Sequence, residues 1–423
     1  MHVLALQPMR VKISQFVHYR LLHERGSDLL PALREIRIPS GISSIDLPSI
    51  FVTLSDNIKY VEDNSINDGI PNTEFTQPFL SLLGQKSPGI HHLVLRGGRF
   101  IDPSYILLFK SLHRLELRLA NTFLSSKFIE ELGNLGDLVG LVLHVGPPIP
   151  PSTPPNVLRP QPLPKMSRSL HKFCYLKDLE LIGAITAISR FLEFTYLRKL
   201  VSLTIREEQE SRNIQTESFW VDSFSKLEVS SFIQSVEIQQ TAQRSWGHPG
   251  YSLSITSISP LLHLRTLKDL KIEGGAFCAT DTGIFNISNS LPDLTRLSLP
   301  PDWYTSCPTI MALVHISLHS QQLNELKIPL SGDMQNSCSV ISDSIDRLAR
   351  EHCHALRHLG LATRFGQLTP KQMVAFAQFL HRSFPLLRKL EGYGANSASE
   401  SWVQVHEIQL ALQAEVKFQN AKN

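Results

Sequence analysis

Leu112-His113-Arg114-Leu115-Glu116-Leu117 carries leucine at its first, fourth and sixth places, with polar or charged residues between. Successive side chains of an extended chain point to opposite faces, so Leu115 and Leu117 share one face while Arg114, Glu116 and Arg118 share the other. The phrase therefore predicts a short strand buried on one side. The same phrase flanks it as Ile90-His91-His92-Leu93-Val94-Leu95 and as Leu138-Val139-Gly140-Leu141-Val142-Leu143.

It recurs along the whole chain. Further copies begin at Leu33, Leu176, Leu200, Leu267, Leu294, Leu323 and Leu356, a degraded one at Leu387, and weaker ones at Ile58-Lys59-Tyr60-Val61 and Ser235-Val236-Glu237-Ile238. The clear copies from 267 to 387 are spaced by 27, 29, 33 and 31 residues, which leaves room for a helix between strands. The spacers contain helix openings. Pro308 precedes an apolar run, Asp102-Pro103 and Thr369-Pro370 place proline at a first turn, and Val340, Ile341, Ile345 and Leu348 recur at helical spacing. No single unit can bury its own apolar face, and stacking the units solves this. The chain is thus expected to be an α/β leucine-rich repeat solenoid, a horseshoe with parallel strands on its concave side and helices outside. The ninth place of each repeat, usually Asn or Cys, holds Gly98, Ala120, Gly146, Ala184, Gly275, Ser331 and Arg364 instead. The usual side-chain ladder in the turn is absent.

Composition narrows the function. With 423 residues, 42% hydrophobic and 19% charged, and 41 basic against 38 acidic side chains for a net charge of +3, the chain has ample core and no basic arm. Neither a nucleic-acid nor a membrane partner is expected, because no apolar run approaches the roughly 20 residues of a membrane helix. The start breaks at Pro8, too early for a secretory signal, so cytoplasm or nucleus is the expected location. Cys174, Cys278, Cys307, Cys338 and Cys353 form no C-x-x-C pair and read as reduced thiols.

The candidate chemical motifs fail on spacing. Residues 63–74 place oxygen side chains at four positions of a calcium loop, but Asp68 stands where glycine is needed and Pro71 occupies the ninth place, so a polar loop is expected. His352-Cys353-His354 with His358 resembles a metal cluster, yet His354 would close a helix while His358 begins a strand. No nucleophile elbow or phosphate loop is present. The reading is a non-catalytic protein, with no cofactor and no metal.

Leu29-Leu30-Pro31-Ala32-Leu33-Arg34-Glu35-Ile36-Arg37-Ile38, the helix-like Phe79–Leu83 stretch leading to Ser87-Pro88-Gly89-Ile90, and Leu291-Pro292-Asp293-Leu294-Thr295-Arg296-Leu297 resemble the repeat region of fungal F-box proteins with leucine-rich repeats. That resemblance covers most of the chain. It implies a substrate-recognition module of a ubiquitin ligase, whose F-box, opening with a phrase like L-P-x-E-I-L, recruits the ligase adaptor. The first 30 residues hold no such phrase, and Phe16-Val17-His18-Tyr19-Arg20 looks like the segment that follows an F-box. Adaptor binding is therefore expected only if an F-box is supplied upstream. The expected organisation is a cap or post-F-box segment over 1–30 and repeats over 31–145. A proline-rich loop over 146–165, with P-x-x-P at Pro148 and Pro151, separates these from repeats over 166–423 that carry an irregular insertion near 207–250 and a C-terminal cap. Alternatives to the receptor reading are a GTPase-activating regulator, loosely supported by Arg118-Leu119-Ala120-Asn121, and an adaptor-free scaffold.

The third, fifth and seventh places of each strand line the open side. Parallel register is expected to set Arg96 beside Arg118 and His92 beside Arg114, with His144 on the next strand, a basic patch with only Glu116 opposing it. Arginine forks suit carboxylate and phosphate, so the expected ligand is an acidic or phosphorylated protein segment.

Overall fold

The computed structural model describes residues 2–5, 20, 30–40, 48–51, 53–66, 73–97, 101–119, 124–145, 171–208, 216–240, 252–301, 307–331, 354–363, 368–393 and 399–422. The chain divides into two units, Met1–Leu200 and Val201–Asn423. In the first, β1 (His2–Ala5), β2 (Leu33–Ile38), β3 (Tyr60–Ile66), β4 (His92–Gly97), β5 (Arg114–Leu119), β6 (Gly140–Val145) and β8 (Asp178–Gly183) pair in chain order, all parallel. A second ladder joins the two-residue strands β7 (His171–Lys172) and β9 (Thr195–Tyr196). In the second unit, β10 (Ser202–Glu207), β11 (Ser235–Gln240), β13 (Asp269–Gly274), β15 (Arg296–Ser298), β16 (Glu325–Leu330), β17 (His358–Thr363) and β18 (Lys389–Gly392) do the same. There, β12 (Ser252–Ser254) and β14 (Ala276–Cys278) pair beside the main ladder. Each unit is a leucine-rich repeat solenoid of parallel strands backed by helices.

The phrase explains the register. Leu93 faces Leu115 and Leu115 faces Leu141, while in the second unit Leu270 faces Leu297 and Leu297 faces Leu326. All of these are buried, and each fully buried leucine contributes about 2 kcal/mol. A one-residue slip would turn each row onto the open face, so the register is fixed by burial. In most phrases the carbonyl of the second residue accepts two successive N–H groups of the next repeat. Lys59 takes those of His91 and His92 at 2.9 and 3.0 Å, and Arg357 those of Arg388 and Lys389 at 2.9 and 3.0 Å.

Helices close the opposite side. Thr369 caps the helix Pro370–Ser383 as expected. Its hydroxyl accepts from the Gln372 N–H, and Gln372 Oε1 accepts from the Thr369 N–H at 2.9 Å. Met373, Phe376, Ala377 and Leu380 then fall on one buried stripe. Pro308, expected just inside the first turn, lies outside the helix, one place before its cap. Thr309 is the cap of Ile310–His319, and Asp281 accepts from both its N–H and its hydroxyl at 2.8 Å. Asp102-Pro103 opens a 3-10 helix, Pro103–Leu108, in place of an α-helix. The apolar stretch around Phe79–Leu83 lies in the helix Thr73–Lys86, and the last helix, Ser399–Lys422, buries Trp402 and Val405. The expected helix near Val340 and Ile345 and the proline-rich loop lie outside the described residues.

Three regions differ from expectation. Residues 2–5, within the segment expected as a cap or post-F-box stretch, form a strand that the sequence reading did not place, His2 opposite Leu33 on β2. Part of the expected insertion near 207–250 is an ordinary repeat. The helix Thr216–Ser225 buries Trp220 and Phe224, stacked at 5.4 Å, and β11 takes full register with β10. The expected polar loop beginning at Asp63 instead continues β3 to Ile66, and Asp63 itself is buried at the sixth, inward place.

Glycine replaces the missing ladder in two turns. A Cβ on Gly183, φ +142°, would lie 2.0 Å from the Val145 carbonyl oxygen, and one on Gly274, φ +66°, 1.9 Å from that of Gln240. The backbone therefore closes directly onto the preceding repeat, which only glycine permits. Beside that second turn Gln240 is buried and donates from Nε2 to Glu207 at 2.7 Å, a side-chain bond between consecutive repeats.

Candidate functional site

The expected pairings hold in the first unit: His92 lies opposite Arg114, and Arg96 opposite Arg118. Register carries Leu117 opposite Leu143, and His144 follows Leu143 on β6. All five residues belong to three adjacent strands, and the structure brings them onto the open face.

The charge on that face is not the one expected. Glu116 has company: Arg96 donates to Glu116 at 2.7 Å and to Glu62 at 3.1 Å, while Arg118 lies 2.8 Å from Glu116 and donates to Glu180 at 3.3 Å. Glu62, Val94, Glu116, Val142 and Glu180 occupy one continuous row across β3, β4, β5, β6 and β8. Each arginine thus spans two glutamates that flank a valine. Val94 and Val142 are only 2% and 4% exposed although they sit on the open side. The arginines and carboxylates form a ladder that roofs the two valines, and the patch is an ion-pair network in place of a basic surface.

The electrostatics of the ladder agree. Burial alone raises the Glu62 carboxyl, but hydrogen bonds from Asn64 and Tyr60 and the guanidinium groups of Arg96 and Arg37 outweigh it, leaving the group below its ordinary range. The hydrogen bond to Glu116 raises Arg96, so this cation is firmly held. His92 behaves oppositely. Burial and then Arg114 push it down, and its ring packs edge-on to Tyr60 at 4.7 Å. Arg37 completes the edge of the network, bonded to Glu35 and stacked over Tyr60 at 5.4 Å.

The open face of the second unit is also paired. Lys271 lies 2.9 Å from both Glu237 and Glu273, Arg296 bonds Asp269, and His358 reaches Glu391 at 2.8 Å. A recess of about 600 Å³ opens where β15 stops at Ser298 between longer neighbours. Pro300 and Pro301 lack the N–H to continue the ladder. At its end the Tyr393 hydroxyl donates to the Leu299 carbonyl at 2.8 Å, and burial pushes that phenol well above its ordinary value. Gly360 makes room, since a Cβ there would come within 2.9 Å of Lys327 and 3.4 Å of the Tyr393 ring.

His354 is a core residue. It is 1% exposed, accepts from the Leu356 N–H at 3.1 Å, lies 3.3 Å from the Ile316 carbonyl, and packs edge-on to Phe384 at 4.9 Å. Burial lowers its pKa to about 4. His352 and Cys353 lie outside the described residues, and among the described residues no three histidine, cysteine or acidic side chains converge on a metal position. Asn121 also lies outside them, and Arg118 is engaged by two carboxylates.

No protein-family model and no curated protein matches the chain. Among solved structures it is similar to an internalin of Listeria monocytogenes at 16% identity, covering 84% of this chain and 85% of that one, with a TM-score of 0.40. It is likewise similar to a leucine-rich repeat protein of Leptospira interrogans at 14% identity, covering 85% and 78%, with a TM-score of 0.40. The assignment of the fold rests on the strand order and register of this chain itself.

Proposed function

We propose that the chain is a non-catalytic protein-interaction module whose repeats select an acidic or phosphorylated protein, as the substrate-recognition repeats of an F-box ubiquitin-ligase receptor do. The observation that carries this reading is the register itself, which presents polar side chains at fixed spacing on a sheet face that no described helix covers. Such surfaces bind by complementarity over many rungs and need no reactive group. The receptor role draws on the sequence resemblance, and such a receptor acts in the cytoplasm or nucleus. The chain supplies recognition, and adaptor contact is expected only if an F-box is supplied upstream.

The test is reconstitution. The chain alone, incubated with purified adaptor, is expected not to bind. The chain fused behind an F-box and assembled with the purified ligase is expected to drive ubiquitylation of proteins it retains, above the level given by the F-box alone. Modification no greater than that background contradicts the receptor role, and direct adaptor binding by the unfused chain contradicts the division of labour.

A further inference from the structure

On the first unit, a row of exposed cations stands at the edge where the strands begin, with Lys59 donating from Nζ to the Gly89 carbonyl at 3.1 Å. Arg34, Lys59, His91, His113 and Lys177 occupy the second place of their phrases, all exposed, with Val139 standing between His113 and Lys177, and successive rungs are joined through backbone carbonyls of this row. Lys110 and Arg114 stand beside His113, and Lys199 lies over the Tyr175 ring at 4.6 Å, just ahead of the Lys177 strand. Among the described residues Arg34, Lys59, Arg114 and Lys177 make no ion pair within 4 Å, whereas Arg96 and Arg118 each touch two carboxylates. Asp56, Asp137 and Asp178 are the exposed acids nearest in sequence to the same edge, and they leave a surplus of positive charge.

His91 registers that field. Burial, then His113 and Lys59, push His91 down, with Asp137 only partly opposing. The His91 and His113 rings lie 4.8 Å apart. Neighbouring rungs of a sheet are about 4.8 Å apart, within a Debye length of about 8 Å at physiological salt, so the side chains from Arg34 to His113 act on a ligand together, and Lys177 extends the row beyond the uncharged rung of Val139.

We propose that this edge is the docking surface of the first unit, and that it takes a polypeptide segment rich in aspartate and glutamate. The proposal rests on the reading of the repeats as a protein-binding module and moves the contact from the guanidinium ladder to the strand-start edge. A segment bearing several carboxylates complements an uncompensated strip of lysine and arginine. It would gain nothing from Arg96 and Arg118 without breaking their existing bonds.

The test uses the full chain and a fluorescein-labelled oligo-glutamate peptide, followed by anisotropy at rising salt. Reversal of Lys59→Glu, Arg114→Glu and Lys177→Glu together is expected to weaken binding at least about tenfold, equivalent to about 1.4 kcal/mol. Reversal of Arg357→Glu and Arg388→Glu at the corresponding edge of the second unit is expected to leave binding unchanged. Carbodiimide cross-linking of the peptide to the unaltered protein, mapped by mass spectrometry, guards against misfolding of the triple variant and is expected to mark Lys59 and Lys177. Equal binding by the triple variant, or cross-links confined to the second unit, overturns the placement and leaves the module reading to the reconstitution test. No binding of the peptide to the unaltered protein, or tighter binding of a polyuridylate strand, overturns the acidic-segment assignment.

Discussion

Two rows of cations cross the strands of the first unit, and they differ in what stands beside them. Arg96 and Arg118 sit at the seventh place, two residues beyond a row containing Glu62, Glu116 and Glu180, on the same side of the sheet. Arg34, Lys59 and Lys177 sit at the second place, where stacked repeats set Arg34, Lys59, His91 and His113 next to one another and Lys177 next to the uncharged Val139. In a parallel stack, a position meets the same position of its neighbours. A cation is neutralised only where an adjacent row supplies acids, and position in the phrase therefore decides whether a charge serves the fold or faces solvent.

His354 gives the largest expected effect, and it belongs to the core and not to either row. His354 is buried neutral, with its pKa lowered from 6.5 to about 4. The unfolded chain binds a proton there below pH 6.5 and the folded chain does not until about pH 4. Its contribution is therefore present in full above pH 6.5 and declines as pH falls toward 4, by about 3 kcal/mol in total. Urea midpoints taken from pH 7 to pH 4.5 are expected to fall less steeply in His354→Gln than in the unaltered protein.

Next comes the ladder. Glu116→Ala would leave Arg96 and Arg118 without their shared carboxylate and open the cover over Val94 and Val142, at a cost of about 2 kcal/mol, less than for a fully buried pair because the arginines are partly exposed. Thermal unfolding is the readout. In the second unit Tyr393→Phe removes one hydrogen bond, to the Leu299 carbonyl, and should cost about 1 kcal/mol. The smallest effect belongs to the edge. Lys59→Ala and Lys177→Ala should each change stability by no more than about 0.5 kcal/mol, since neither side chain is buried or ion-paired.

The strand rows were legible because the leucine phrase marks its inward set so densely that even the weak copy at Ser235 could be placed. The first strand, His2–Ala5, was not, since four residues carry no period of their own and only pairing with β2 defines them. Asp63 hid the second half of its strand by placing an acid where a leucine stands in other copies. The pairings of Arg96 and Arg118 followed from register, but the charge of the patch did not. Counting three strands missed Glu62 and Glu180, which lie on the strands to either side and come within reach because arginine spans more than one rung. Carrying the fifth-place row one strand further each way would have found both. The edge row was visible in the sequence as the residue after each first leucine, yet nothing in a single copy distinguishes it from any exposed polar position.

A double-mutant cycle tests the contrast between the rows most directly. Arg96→Ala and Glu116→Ala, alone and combined, are compared with Lys59→Ala and Asp56→Ala by urea unfolding, with the midpoint read at constant denaturant slope. The structure predicts a coupling of about 1 kcal/mol for Arg96 with Glu116 and none beyond error for Lys59 with Asp56. Absence of coupling in the first pair, or equal coupling in both, would contradict the division between a committed ladder and a free edge.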